Sequence, residues 1–188
     1  MKFPLNTSII TIEGEYSPQS NILNNTKAFS ISTNVNYTPV FDSDPKAVGV
    51  KKGGNNNETA KIYLNKECAD WILNAFEKEL SNAGYSINDN NAEKQVDVTL
   101  NVKQFFVEPW VGMWSATIYS ILSVDAKVAV RGDKVYYTRK FVSYDEKITF
   151  AWPDRMFEER ILNVAQKSLP SIVKETNMLL TNKVGDFK

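Results

Sequence analysis

Hydrophobic and polar residues alternate with a two-residue period over three long stretches in the second half of the chain. Val96, Val98, Leu100 and Val102 interleave with Asp97, Thr99, Asn101 and Lys103. From Ala116 to Val130, one face carries Ile118, Leu122, Val124, Val128 and Val130. A third run, VYYTRKFVSYDEKITF, follows Gly132-Asp133, a dipeptide suited to a hairpin turn. Successive side chains of a strand point to opposite faces, so each run predicts a strand with one buried side. Three in series predict an antiparallel meander.

The first half is more broken. Ile9, Ile10 and Ile12 mark a short extended segment between Thr7 and Tyr16, followed by the turn-rich SPQSNILNNT. Lys27 to Val35 alternates, with Phe29, Ile31, Thr33 and Val35 on one face. Ala47 to Val50 predicts a brief strand, GGNNN an exposed loop, and Ile62 to Leu64 another extended piece.

Two segments switch to helical spacing. Ala69, Ile72, Leu73, Phe76 and Leu80 predict a helix over Lys66 to Ala83, with Asn65 as N-cap and Gly84 at the exit. Tyr85-Ser86-Ile87 then begins a strand. A second helix is expected from about Asp154 to Asn182 on Phe157, Ile161, Val164, Ala165, Leu169, Ile172 and Leu179 or Leu180, with Pro170 kinking or splitting it. Two one-striped helices beside a one-faced sheet predict an α+β two-layer sandwich. The expectation is a single domain over residues 1–188, with residues 1–26 as an N-terminal extension.

Composition narrows the function classes. Lysine plus arginine and aspartate plus glutamate both total 22, so no net field attracts nucleic acid. Histidine is absent, which removes the commonest general base and metal ligand. The single cysteine, Cys68, allows neither an internal disulfide nor a cysteine zinc site. No apolar run approaches the ~20 residues of a membrane-spanning helix, and MKFPLNTSII has no apolar signal-peptide core.

The order of elements resembles the YajG-type bacterial lipoproteins. The resemblance runs through AFSISTNVN, a turn with Asp42 and Asp44, AVGVKKGG, CADWILNAFEKELSNAGYSI and VDVTLNVKQFFVE, then the long hairpin and the closing helix. It covers roughly Lys27 to Asn182. It implies an exported α+β protein held at the outer membrane by a lipid, in the periplasm. More loosely, it implies kinship with the sheet-and-helix domains of TolB's N-terminal region and of lipoproteins that activate cell-wall synthases, which act by binding other envelope proteins. Signal peptide and lipobox cysteine are missing here; Lys66 and Glu67 before Cys68 are no lipobox. Met1 is accordingly expected to be an added start just after a lipidated cysteine.

The leading candidate site is Phe105 to Trp114, FFVEPWVGMW. Pro109 and Gly112 suggest a bend between two strands, at which Trp110, Val111, Met113 and Trp114 cannot all point inward. With Phe106 they form a candidate contact for a partner protein. The competing explanation is that these aromatics cap the core. Trp152, with Phe150 and Pro153, reads as a hydrophobic staple on the last helix. RGDK at Arg131 to Lys134 reads as a turn, and Asp42/Asp44 as an Asp-Pro turn rather than a cation site. Glu158 and Glu159 diverge on a helix, Gly53-Gly54 lacks the rest of a phosphate loop, and Cys68 lacks a histidine partner.

The sequence therefore predicts no catalytic residue, cofactor or metal. It predicts a non-enzymatic envelope lipoprotein binding a partner protein through its aromatic segment. The alternative is a small-molecule or lipid carrier with a pocket between helices and sheet. A long edge strand also admits pairing with a second copy.

Overall fold

A computed structural model describes residues 8–39, 43–132 and 136–185. Eight strands form one sheet: β1 (Ser8–Ile12), β2 (Phe29–Tyr37), β3 (Ala47–Lys52), β4 (Glu58–Leu64), β5 (Ser86–Ile87), β6 (Lys94–Val111), β7 (Ala116–Val130) and β8 (Tyr136–Thr149). Helices α1 (Cys68–Asn82) and α2 (Arg155–Gly185) pack on one face of it. The α+β sandwich expected from the periodicities is the observed architecture.

Strands β6, β7 and β8 make the antiparallel meander, paired along their whole lengths. The opposite edge of β6 forks. Its first half pairs in parallel with β2, from Phe29↔Lys94 to Tyr37↔Val102. Its second half touches β3 at Gly49↔Val107, and beyond β3 lie β4 and then β1. An antiparallel β3–β4 hairpin and a parallel β1–β4 pair complete this branch.

A register shift between Val102 and Gln104 organises the long strand. Before it, even-numbered Val96, Val98, Leu100 and Val102 face the helices; after it, odd-numbered Phe105, Val107, Pro109 and Val111 do. One extra residue reverses which side chains point inward. The same shift sends Phe106 and Trp110 to the face away from the helices.

Helix α1 begins at Cys68, not at Lys66, and Asn65 is not its cap. Glu67 occupies that position with no side-chain cap bond, while the Cys68 N–H donates to the Pro45 carbonyl at 2.9 Å. The buried stripe is also turned from the expected one. It comprises Cys68, Trp71, Ile72, Ala75, Phe76, Glu79 and Leu80, with Ala69 and Leu73 only half-buried. Trp71 drives this rotation, packing on Phe105 at 5.6 Å and edge-on against Tyr16 at 6.0 Å. The Gly84 exit is as expected: at φ +97°, it lets Gly84 and Tyr85 N–H groups reach the Ser81 and Leu80 carbonyls.

Pro170 does not split the last helix, which runs unbroken for 31 residues. Leu169, Ile172 and Val173 are fully buried around it, so packing on both sides offsets the backbone bond that proline cannot donate.

Candidate interaction surface

The outer face of the sheet, opposite the helices, divides at the β6 bulge. On the N-terminal side of the bulge it is polar. Asp97 is gripped by Arg131, Asn101 bonds Asn36 at 3.0 Å, and Lys103 lies 3.9 Å from Asp125. On the other side it is aromatic and aliphatic across three adjacent strands. Phe106 and Trp110 of β6 stand beside Tyr119 and Ile121 of β7, and these beside Val142, Tyr144 and Ile148 of β8.

This half is ordered by its own contacts. Phe106 meets Tyr119 edge-on at 6.1 Å, and Tyr119 stacks with Tyr144 at 6.3 Å. The charges within it are engaged. Glu108 takes the Lys52 ammonium at 2.6 Å and the Tyr119 hydroxyl, while Glu146 accepts the Tyr144 hydroxyl at 2.6 Å. Burial, then the bond to Glu108, raises the Tyr119 phenol above its ordinary range. The bond to Glu146, then burial, pushes Tyr144 up to about 12. Both tyrosines are neutral donors at any physiological pH.

At its end the face passes into the β6–β7 turn. Pro109 lies within β6, paired opposite Ile118, so the expected bend at Pro109 is not there; the reversal is Gly112 to Ser115. The Gly112 N–H donates to the Ser115 carbonyl at 2.8 Å. Asn56 of the GGNNN loop behaves like a strand neighbour. Its side-chain amide donates to the Val111 carbonyl at 3.2 Å, and its oxygen accepts the Val111 N–H at 3.3 Å. On this framed turn Met113 is 89% exposed and Trp114 83%, with Trp110 at 67%.

The candidate residues therefore divide. Trp110, Met113 and Trp114 are exposed, Phe106 is half-buried on the same outer face, and Val111 is buried, so its side chain leaves the surface set. The Trp152 group divides too. Trp152 packs against the core and donates its indole N–H to the Lys52 carbonyl at 3.0 Å, whereas Phe150 is 82% exposed and staples nothing.

A family model for an uncharacterised lipoprotein matches residues 20–178. The chain belongs to that family. The lipoprotein's fold is shared with protein XCC0632 from Xanthomonas campestris, a DUF330 crystal structure, at TM-score 0.66 and 9% identity over 95% of this chain and 99% of that one. A second crystal structure, of an uncharacterised protein, gives TM-score 0.52 and 12% identity over 90% and 98%. At such identities the likeness concerns the fold alone. No curated protein matches. Membership in a lipoprotein family suggests the cell envelope, and among the described residues no helix is long and apolar enough to cross a membrane.

Elsewhere the lipoprotein's ionisable groups serve its architecture. Glu79, fully buried on α1, accepts the Tyr16 hydroxyl and the Gln19 and Ser20 N–H groups at 2.7 and 2.8 Å, pinning the segment after β1. Asp145 of β8 pairs with Arg160 and Lys167 of α2. Glu158 accepts the Gly14 N–H at 3.0 Å while Glu159 faces Arg155, so these two do not converge. Burial pushes the Cys68 thiol up to about 12, the reverse of an activated nucleophile. Asp44 accepts the Lys46 N–H in an Asp-Pro turn, with Asp42 outside the described residues. Arg131 serves Asp97 and Gly132 has φ +88°, as a turn requires, with Asp133 and Lys134 likewise outside. Among the described residues no group of three acidic or cysteine side chains is placed to hold a metal.

Sequence reasoning missed Tyr119, Val142, Tyr144 and Ile148. The signal was present in FVSYDEKITF, where both parities carry large apolar residues: Phe141 inward, Val142, Tyr144 and Ile148 outward. A strand buried on one face does not need that.

Proposed function

We propose that this lipoprotein is a non-catalytic periplasmic component of the outer membrane that binds another envelope protein through the outer face of β6, β7 and β8. The observation that carries the reading is the confinement of Phe106, Trp110, Tyr119, Ile121, Val142, Tyr144 and Ile148 to one side of the bulge, where they form one patch. Contiguous apolar surface of this kind is costly to leave in water, and Trp and Tyr are the residues that dominate protein contacts. The reading needs no cofactor and no bond chemistry. A photoreactive benzoylphenylalanine at Tyr144 or Trp110 should give an adduct of one defined mass in intact cells, with none from Asn74 on the exposed side of α1. An identical smear from all three positions would remove the proposal.

A second reading, a carrier of a small apolar ligand, is favoured by one feature. A groove of about 680 Å³ runs between Ile22, Leu23, Phe29, Gly84, Lys94 and Thr181. It lies beside the layers and not between them, where Phe76, Phe105 and Phe157 fill the space. Native mass spectrometry of gently purified protein would reveal a retained ligand.

A further inference from the structure

We propose that the end of the sheet bearing Met113 and Trp114 rests on a lipid bilayer surface. Six of the ten large hydrophobic side chains exposed among the described residues gather at this end: Ile9, Trp110, Met113, Trp114, Ile148 and Phe150. They come from five different strands and connections, so the clustering reflects the fold rather than one greasy stretch of sequence. Met113 and Trp114 on a short framed turn, with Phe150 just past β8, suit the boundary between headgroups and acyl chains, where the indole finds both an apolar body of lipid and polar partners.

The chain's own path supplies the second argument. Strand β1 runs parallel to β4, Ser8 lies opposite Ala60, and the Ser8 hydroxyl donates to the Thr59 carbonyl at 3.1 Å. The β3–β4 loop at that end is the one whose Asn56 pairs with Val111. Strand β1 therefore starts, at Ser8, at the Met113–Trp114 end, three strands from β6, or roughly 15 Å across the sheet at ~4.8 Å per strand. In a lipoprotein the lipid is attached on the N-terminal side, so the anchor and the apolar turn share one end of the molecule. Lys51 and Lys52 there are paired with Asp154 and Glu108, at 2.7 and 2.6 Å. Contact is thus by apolar insertion, weakly dependent on salt and on lipid charge. This inference rests on family membership, not on the proposed protein partner; the lipid-facing end shares Trp110 and Ile148 with that partner's face and adds Ile9, Met113, Trp114 and Phe150.

The test tethers the full chain by an N-terminal histidine tag to nickel-chelating lipid in phosphatidylethanolamine–phosphatidylglycerol vesicles carrying brominated acyl chains. Wild-type tryptophan emission should be quenched by the bromine. A Trp110→Phe/Trp114→Phe variant, left with buried Trp71 and docked Trp152, should lose that quenching. Met113→Asp/Phe150→Asp, with all tryptophans intact, should lose it too, while Tyr144→Ser on the face should keep it. An unquenched wild type, or equal quenching after Trp110 and Trp114 are replaced, would overturn the proposal. Loss of the Tyr144 adduct in cells with quenching retained would instead count against the partner reading alone.

Discussion

Gly49 and Val107 touch where the sheet forks, and only a glycine permits it: a Cβ on Gly49 would lie 1.8 Å from the Val107 carbonyl oxygen. This is the one register pair between β3 and β6, so the backbone of the β1–β4–β3 branch meets the long meander at a single close approach, reinforced by Lys52–Glu108 and the Asn56–Val111 bonds. Gly49→Ala should cost about 3 kcal/mol of unfolding free energy, since a backbone atom cannot yield as a side chain can. Hydrogen exchange should rise first in β3 and β4, with β2 and the meander less affected.

Glu79→Ala should destabilise by about 3 kcal/mol, because it strands the buried Tyr16 hydroxyl and two N–H groups at once. The readout that isolates the cause is limited proteolysis, with new cleavage expected between residues 16 and 25 before any in the helices.

Asp145→Ala should cost about 2 kcal/mol, since it removes the closest counter-charge of the half-buried Arg160 guanidinium, leaving only exposed Glu159 at 3.8 Å. Because Asp145 joins β8 to α2, the loss should appear as early fraying of β8 in exchange experiments.

Cys68 should make the protein labile to alkali. Its folded pKa, about 12, lies above the ordinary thiol value near 9. Between those values the unfolded chain has released the proton and the native state has not, so stability falls as pH rises, by about 1.4 kcal/mol per pH unit from this group. The stability difference between wild type and Cys68→Ala, measured in urea at pH 8, 9 and 10, should shift toward the alanine variant by that slope once pH exceeds 9.

How much of this was legible in the chain depends on the range of the interaction. The long strands and both helices declare themselves because alternation and the 3.6-residue period are local properties, and Gly84 announces its helix exit for the same reason. The bulge is written as two consecutive polar residues, Lys103 and Gln104, between inward Val102 and Phe105, but reading it requires knowing which face is buried further along. Nothing near Glu79, Gly49 or Asn56 in sequence reveals that they meet Tyr16, Val107 and Val111, because those contacts are made across the fold. The interaction surface was half visible: its turn stood out as FFVEPWVGMW, while its β8 share hid in a strand whose inward face carries Phe141 but also Ser143 and Asp145, so that the burial side cannot be read from hydrophobicity.

As contact surface, the apolar face and turn should be covered in the envelope and contribute little to folding. Carbene footprinting of the protein in intact envelopes and after purification compares the two states of that surface directly. Trp110, Met113, Trp114, Val142, Tyr144 and Ile148 should label heavily when purified and be protected in the envelope, with exposed Met178 and Lys174 on α2 labelling equally in both. Equal labelling of the face and turn in the two preparations would contradict it.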